Sequence, residues 1–322
     1  MPRWALVPAA VFMLAFAGSL AYFVLDDDGG GPAPSPASGR GEPKGRLVVT
    51  YSASAQNPDQ GFLGSIAADG SDLKTVIDPP GEPRAAANAS PSVDPTGDAV
   101  VFQRAEAGTG GPRPPYIYVI PLDGSKPERR LTSGHTPEID PAWSPDGKRI
   151  AFARQVRGRF DLFACAPDGS GVVQLTDTPG VDEITPAWSP DGSEIAFARY
   201  EHGLERGPGD LWAMSANGRR ERRVRGEDGH DYSSPAWAPD GKRLALLVDA
   251  HVAVTDVQGS AVRGLTADEE LKETRPSWSP DGSRIAFTRD PGTILTIRPD
   301  GSQEVKVPFE KAANGVDWGP AR

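Results

Sequence analysis

Residues 141–147 read Pro-Ala-Trp-Ser-Pro-Asp-Gly, and the same seven residues return at 186–192. Variants stand at 235–241 (PAWAPDG) and 276–282 (PSWSPDG), a degraded copy at 91–97 (PSVDPTG) and a fragment, VDWGP, at 316–320. With Val93 counted in the tryptophan position, the series runs Val93, Trp143, Trp188, Trp237, Trp278, Trp318, at spacings of 40 to 50 residues. That is the period of a four-stranded propeller blade.

Each repeat reads as four short strands. In the best-formed copy, strand A carries Pro141-Ala142-Trp143, strand B runs over 149–154, strand C over 161–165 and strand D over 173–176. Asp-Gly between two apolar runs is a hairpin signal, because glycine reaches positive φ without steric cost. The turn between C and D recurs at Asp69-Gly70, Asp123-Gly124, Asp168-Gly169, Asn217-Gly218, Gln258-Gly259 and Asp300-Gly301. Six such turns predict six blades. The segment opening at Glu42 looks like the end of an SPDGK turn followed by strand B, and Val316–Pro320 looks like a strand A. The first blade therefore takes its strand A from the last residues, which closes the ring and leaves no free sheet edge.

The sequence thus predicts an all-β fold: a six-bladed β-propeller of four-stranded blades, closed by the C-terminal strand. Repeats of the form PAWSPDGxxIAFxR followed by DGSxxxxLT resemble the WD40-like repeats of the TolB family, over about 46–320. The resemblance implies a six-bladed propeller acting as an interaction platform beside the cell envelope. The α/β domain that precedes the propeller in that family has no counterpart here, where only an apolar run and a tether come first.

That run, Trp4 to Leu25, is 22 residues without a charge, long enough to cross a bilayer as a helix. Arg3 precedes it and Asp26, Asp27 and Asp28 follow, which puts the N-terminus in the cytoplasm and the remainder outside, periplasmic or on the cell surface. Residues 1–25 are read as a single-pass transmembrane signal-anchor. The alternative is a signal peptide cleaved after Ala17, at Ala15-Phe16-Ala17. Residues 26–45 read as a flexible, proline-stiffened linker and 46–322 as the propeller. The net charge of −10 excludes a nucleic-acid footprint, and the single cysteine, Cys165, excludes an internal disulfide.

The A–B and C–D turns share one face of the ring and are uniform. The B–C and D–A loops share the other and vary, with B–C loops read over 105–114 and 200–209. Variable loops on a rigid scaffold are where function concentrates. The D–A segments hold fifteen acids and four bases, a net of −11, while the rest of 46–322 carries about +2. Such a mouth attracts cations or basic partners. The candidate partner-binding residues are Glu138, Asp140, Asp182, Glu183, His230, Asp231, Glu270 and Glu273, serving a protein or peptide, basic in charge. A divalent cation such as calcium is the alternative occupant. Glu138, Glu183 and Glu273 each stand five residues before the strand-A tryptophan, while Arg104, Arg154, Arg199 and Arg289 end strand B, so acid–Arg pairing is the structural alternative for both series.

No G-x-S-x-G, H-E-x-x-H, P-loop or G-x-G-x-x-G occurs. His230-Asp231 and His135 with Glu138 are the seeds of a metal-dependent lyase or hydrolase-like alternative. The repeats otherwise read as a monomeric, non-enzymatic interaction propeller without a cofactor.

Overall fold

The computed structural model describes residues 45–52, 61–77, 86–108, 111–203, 207–267, 271–290 and 292–320. The apolar run and residues 26–44 of the linker lie outside them, as does Glu270. No helix long and apolar enough to cross a membrane occurs among the described residues.

Strand B is the most apolar stretch of each repeat and sits deepest. Ile150, Ala151, Phe152 and Ala153 are fully buried, as are Ile195 to Ala198 and Leu244 to Leu246. The run is continuous rather than alternating because each blade is covered on both faces by its neighbours. Phe102, Phe152, Phe197 and Phe287 hold equivalent places in four blades.

Six antiparallel sheets result. Blade 2 has strands Ala86–Val93, Ala99–Gly108, Tyr116–Pro121 and Arg129–Arg130; blade 3 has Glu138–Trp143, Ile150–Val156, Arg159–Cys165 and Val173–Gln174. Blade 4 has Val181–Trp188, Glu194–Glu201, Asp210–Ser215 and Arg222–Arg225; blade 5 has Tyr232–Trp237, Arg243–Val248, His251–Asp256 and Val262–Gly264. Blade 6 has Ser277–Trp278, Ile285–Arg289, Thr293–Ile297 and Val305–Lys306. Blade 1 combines Arg46–Ser52, Gly61–Ala67 and Lys74–Ile77 with Ala312–Trp318, the last strand of the chain, as expected. Several boundaries differ from the sequence reading: strand A starts earlier, at Glu138 and Val181 inside the segments read as D–A loops, and Tyr200 and Glu201, read as B–C loop, end strand B of blade 4. Residues 105–108, read as loop, prolong strand B of blade 2 and pair with Gly111–Pro112 in a hairpin extension.

The repeated turns have specific jobs. In SPDG, Ser144 Oγ accepts the Arg149 N–H at 2.9 Å and donates to Asp146 at 2.7 Å; Ser189 and Ser279 repeat both bonds. The Ser189 hydroxyl, together with the N–H and hydroxyl of Ser193, lowers the carboxyl of Asp191 to about 2. In the C–D turn the glycine is required twice over. Gly169 has φ +86°, and a Cβ there would lie 1.8 Å from the carbonyl oxygen of Leu131 in the preceding blade.

Blades lock to one another through the residue just before the tryptophan. Where it is alanine, the next tryptophan donates its indole N–H to that alanine's carbonyl: Trp188 to Ala142, Trp237 to Ala187 and Trp278 to Ala236, each at 3.1 Å. Where it is serine, the hydroxyl accepts the backbone N–H of the next tryptophan: Ser92 from Trp143 at 3.1 Å and Ser277 from Trp318 at 2.9 Å. The indole N–H groups of Trp143 and Trp318 are then left without a partner. The sixth position is Asp317, on the closing strand. Its carboxylate accepts the Val93 N–H at 2.8 Å on one side and the Ser277 hydroxyl at 2.7 Å on the other, joining blades 6, 1 and 2.

Burial raises the Asp317 carboxyl above its ordinary range, against the pull of the Val93 N–H and the Ser277 hydroxyl. The folded ring therefore keeps this proton longer than the unfolded chain, a contribution complete at low pH and lost as pH climbs through the folded value. Asp317→Asn cannot ionise, so its melting temperature relative to wild type should rise between about pH 4 and about pH 7.5. A pH-independent difference would refute this. In blade 5, Asp249 and Ala250 form the two-residue B–C turn with φ of +51° and +68°. Ala250→Gly relieves a left-handed alanine and should stabilise the fold by about 0.5–1 kcal/mol in denaturant unfolding.

Candidate functional site

Five residues before each strand-A tryptophan, the side chain lies opposite the end of strand B in the sheet register. The cross-strand pairs are Asn88 with Arg104, Glu138 with Arg154, Glu183 with Arg199, and Glu273 with Arg289. In all four, the arginine Nε donates to the facing side-chain oxygen at 2.9 Å. Each guanidinium also stands over the phenylalanine two residues earlier, 5.2 to 5.5 Å from the ring centre. A second acid on the strand-D side reaches three of them: Glu128, Glu221 and Glu304. The pairing expected from the sequence is thus formed.

The threonine of the L-T motif completes this cluster. Thr132 of blade 2 donates to Glu138 of blade 3, and Thr266 of blade 5 donates to Glu273 of blade 6 at 2.5 Å. The Glu273 carboxylate also accepts the Val252 N–H at 2.7 Å. Burial pushes the Glu183 carboxyl upward, against Thr176 and Arg199, which pull it down. Blades 5 and 1 solve the same position without charge. Tyr232 faces Val248, and Ala313 faces Tyr51.

The candidate residues therefore separate. Glu138, Glu183 and Glu273 are buried and committed to intramolecular pairs, out of reach of a docked surface. Asp182 and Asp231 stand at the rim and brace neighbouring blades: Asp182 accepts the Phe160 N–H at 2.7 Å, and Asp231 accepts the Gly209 N–H at 2.9 Å. Each adjoins a histidine. His202 Nδ1 lies 2.9 Å from Asp182, and His230 Nδ1 lies 2.6 Å from Asp249. The Asp249 hydrogen bond and charge raise the His230 pKa. Asp140 lies on the ring axis, ion-paired with Arg275 of the opposite blade. Sequence reasoning missed Arg275 and Asp249. The first was legible as the one arginine at a place where other repeats carry small residues.

More exposed acids of this face are Asp177 and Glu227, with side chains 62% and 70% exposed, together with Asp249, each in a surface ion pair: Asp177 with Arg159, Glu227 with Arg223 and Asp249 with His230. Among the described residues no three His, Cys, Asp or Glu side chains come together as a metal site. Cys165 is buried, and burial pushes its thiol up to about 12, so it is inert. Two cavities lie on the opposite, turn face. One of about 700 Å³ between blades 4 and 5 includes Asp191, Glu194, Arg222 and Trp237 in its wall. One of about 300 Å³ at the channel mouth is rimmed by Pro95, Pro190, Pro239, Pro280 and Pro320. Polar groups in the first wall are already bonded to each other, Glu194 to Arg222 at 3.0 Å and Asp191 to Ser189 at 2.6 Å.

Comparison with known proteins places these features. The TolB beta propeller domain model matches residues 71–203 and 160–316. TolB from Acinetobacter baumannii superposes with a TM-score of 0.69 at 21% identity, covering 86% of this chain and 67% of that one. A chain of a nidogen/laminin complex gives 0.67 at 11% identity, covering 86% and 100%. A dipeptidyl-peptidase 5 from Porphyromonas endodontalis is 36% identical over 64 residues, 20% of this chain and only 9% of the peptidase.

The two classes of acid should respond differently to substitution. Glu183→Ala removes the buried carboxylate of Arg199, leaving it Glu221 alone, and should cost about 2–3 kcal/mol, whereas Asp177→Asn should stay within about 0.5 kcal/mol of wild type. Urea unfolding of both variants checks the contrast; equal small losses would mean that the buried pair contributes little.

Proposed function

The chain belongs to the TolB beta propeller domain family, and from that membership we propose that it is an interaction propeller, not an enzyme, that takes a basic protein or peptide on its acidic loop face. The observation that carries this reading is the −11 net charge of the D–A segments against about +2 for the rest of the domain. Fixed negative charge around a ring mouth speeds encounter with cationic partners and sets a strong salt dependence. Asp177, Glu227 and Asp249 are the acids we assign to contact. Asp182, Asp231 and His230 shape the rim beside them, and the buried glutamates hold the blades that carry the loops.

The chain enters the ring at Arg46, whose carbonyl accepts the Gly319 N–H at 2.9 Å on the turn face. A membrane anchor upstream of residue 45 would hold the propeller outside the cell membrane through the linker. The match to a peptidase covers 64 residues, 9% of that protein, and does not carry its activity to this chain.

The test is capture from the native cell envelope with the full-length chain as bait, beside Asp177→Asn/Glu227→Gln/Asp249→Asn. A basic protein should be held by the wild type, released as salt rises from about 50 mM to about 300 mM, and lost from the triple variant. Equal retention by both baits would place the contact elsewhere. A partner held independently of salt would argue against charge as the basis.

A further inference from the structure

Three residues before each strand-A tryptophan, one residue per blade meets the axis of the ring: Ser90, Asp140, Thr185, Ser234, Arg275 and Gly315. Four of them, Ser90, Asp140, Thr185 and Ser234, take left-handed backbone with φ of +50° to +58°. That bulge bends the strand and keeps small side chains at the channel. Arg275 breaks the pattern in two ways. It is the one long side chain in the ring. Strand A of its blade also shrinks to Ser277–Trp278, with Glu273–Arg289 left as an isolated bridge. A local rule broken at a cost in ladder hydrogen bonds is what a functional position looks like.

Arg275 crosses the channel to Asp140, so blade 6 is tied to blade 3 on the opposite side. Its side chain is 27% exposed, against 10% for Asp140. The acceptors of this region are already occupied. Asp140 Oδ1 takes the Ser90 hydroxyl at 3.3 Å as well as Arg275, and Oδ2 takes the Thr185 N–H at 3.3 Å. Asp317, one step along the channel, spends both oxygens on Val93 and Ser277. The donors are not matched. Arg275 is ion-paired with Asp140 and also feels the charge of Asp317, but among the described residues Asp140 is the one acid within ion-pair distance of it, which leaves part of a five-donor fork open. Thr185 is 7% exposed, and its hydroxyl has no partner. A buried hydroxyl without a partner is costly, and a guanidinium edge matches the two oxygens of a carboxylate. What the channel lacks is an acceptor.

We propose that the axial channel binds a carboxylate group, held by the open edge of the Arg275 guanidinium and by the Thr185 hydroxyl. Asp140 acts as the internal competitor that occupies Arg275 when the site is empty. The carboxylate comes from a small organic acid or from the C-terminus of a peptide, and the two sources share this chemistry.

The experiment uses the full-length chain, with sodium acetate and a tripeptide in free-acid and C-terminally amidated forms as probes. Melting temperature and calorimetric titration are read against sodium chloride at equal ionic strength, since a ligand of the folded state alone raises the melting temperature. Wild type should show a saturable rise with acetate. Arg275→Ser, the residue of blades 2 and 5 in this ring, should abolish it. Thr185→Val should weaken binding about 3- to 10-fold, the loss of one hydrogen bond to a charged group. Asp140→Asn frees the guanidinium and should tighten binding several-fold. Tighter binding of the free-acid tripeptide, lost on amidation, assigns the site to a peptide terminus; a response to acetate alone assigns it to a small acid. No response to acetate or the free acid beyond chloride overturns the proposal, as does undiminished binding by Arg275→Ser. Should that variant fail to fold, Asp140→Asn decides: a gain in affinity supports the site, and no gain removes it.

Discussion

Each blade of this ring leans on its predecessor through the residue that precedes the strand-A tryptophan. An open propeller would expose an unpaired strand edge and the apolar faces of two blades, so the junctions must all close together. Alanine at this place offers a backbone carbonyl to the next indole; serine offers a hydroxyl to the next backbone N–H. The two solutions exclude each other along the series, because the tryptophans over serine keep an unbonded indole nitrogen. Asp317 combines both directions in one carboxylate and stands where the chain must find its own beginning. A side chain with two acceptors is the economical choice at a seam between two neighbours.

The acidity of the loop face has two physical origins. Part of it is mortar. Glu138, Glu183 and Glu273 lie across from an arginine in the same sheet, and Glu138 and Glu273 also receive a threonine hydroxyl from the preceding blade. Buried ion pairs of this kind recover their desolvation cost only with such added hydrogen bonds. The tyrosines of blades 1 and 5 meet the same geometric need without charge, which argues that packing, rather than a ligand, selects this position. The remaining acids, Asp177, Glu227 and Asp249, are solvated. Their surface ion pairs with Arg159, Arg223 and His230 leave them facing solvent, where they contribute to the field of the face.

The period, the turn glycines and the closing strand were legible in the sequence because each is a local signal repeated six times or a fragment that completes a repeat. The Glu–Arg pairing was legible too, since both series keep a fixed distance to the same tryptophan. The role of the L-T threonine was not, because its partner belongs to the next blade. Neither was the Arg275–Asp140 pair, whose members are far apart in sequence and meet only when opposite blades face each other. Burial was the chief misjudgement of sequence reasoning. Counting charge on a loop segment cannot separate a carboxylate at the rim from one folded under it, and four of the eight candidates, Glu138, Asp140, Glu183 and Glu273, are buried.

The placement of strand Arg46–Ser52 has a mechanical meaning. It is bonded on both sides, to Gly61–Ala67 and to Ala312–Trp318, and runs from the turn face to the loop face. A load applied between an anchor at Arg46 and a partner gripped by the loops would act along this strand. Antiparallel hydrogen bonds stand perpendicular to such a pull, so the two ladders would share it in shear and have to fail together. A pull between Arg46 and Trp318 would instead peel the closing pair one bond at a time from their common end. The same seam is therefore stiff to a pull along the strand and soft to a pull that opens the ring.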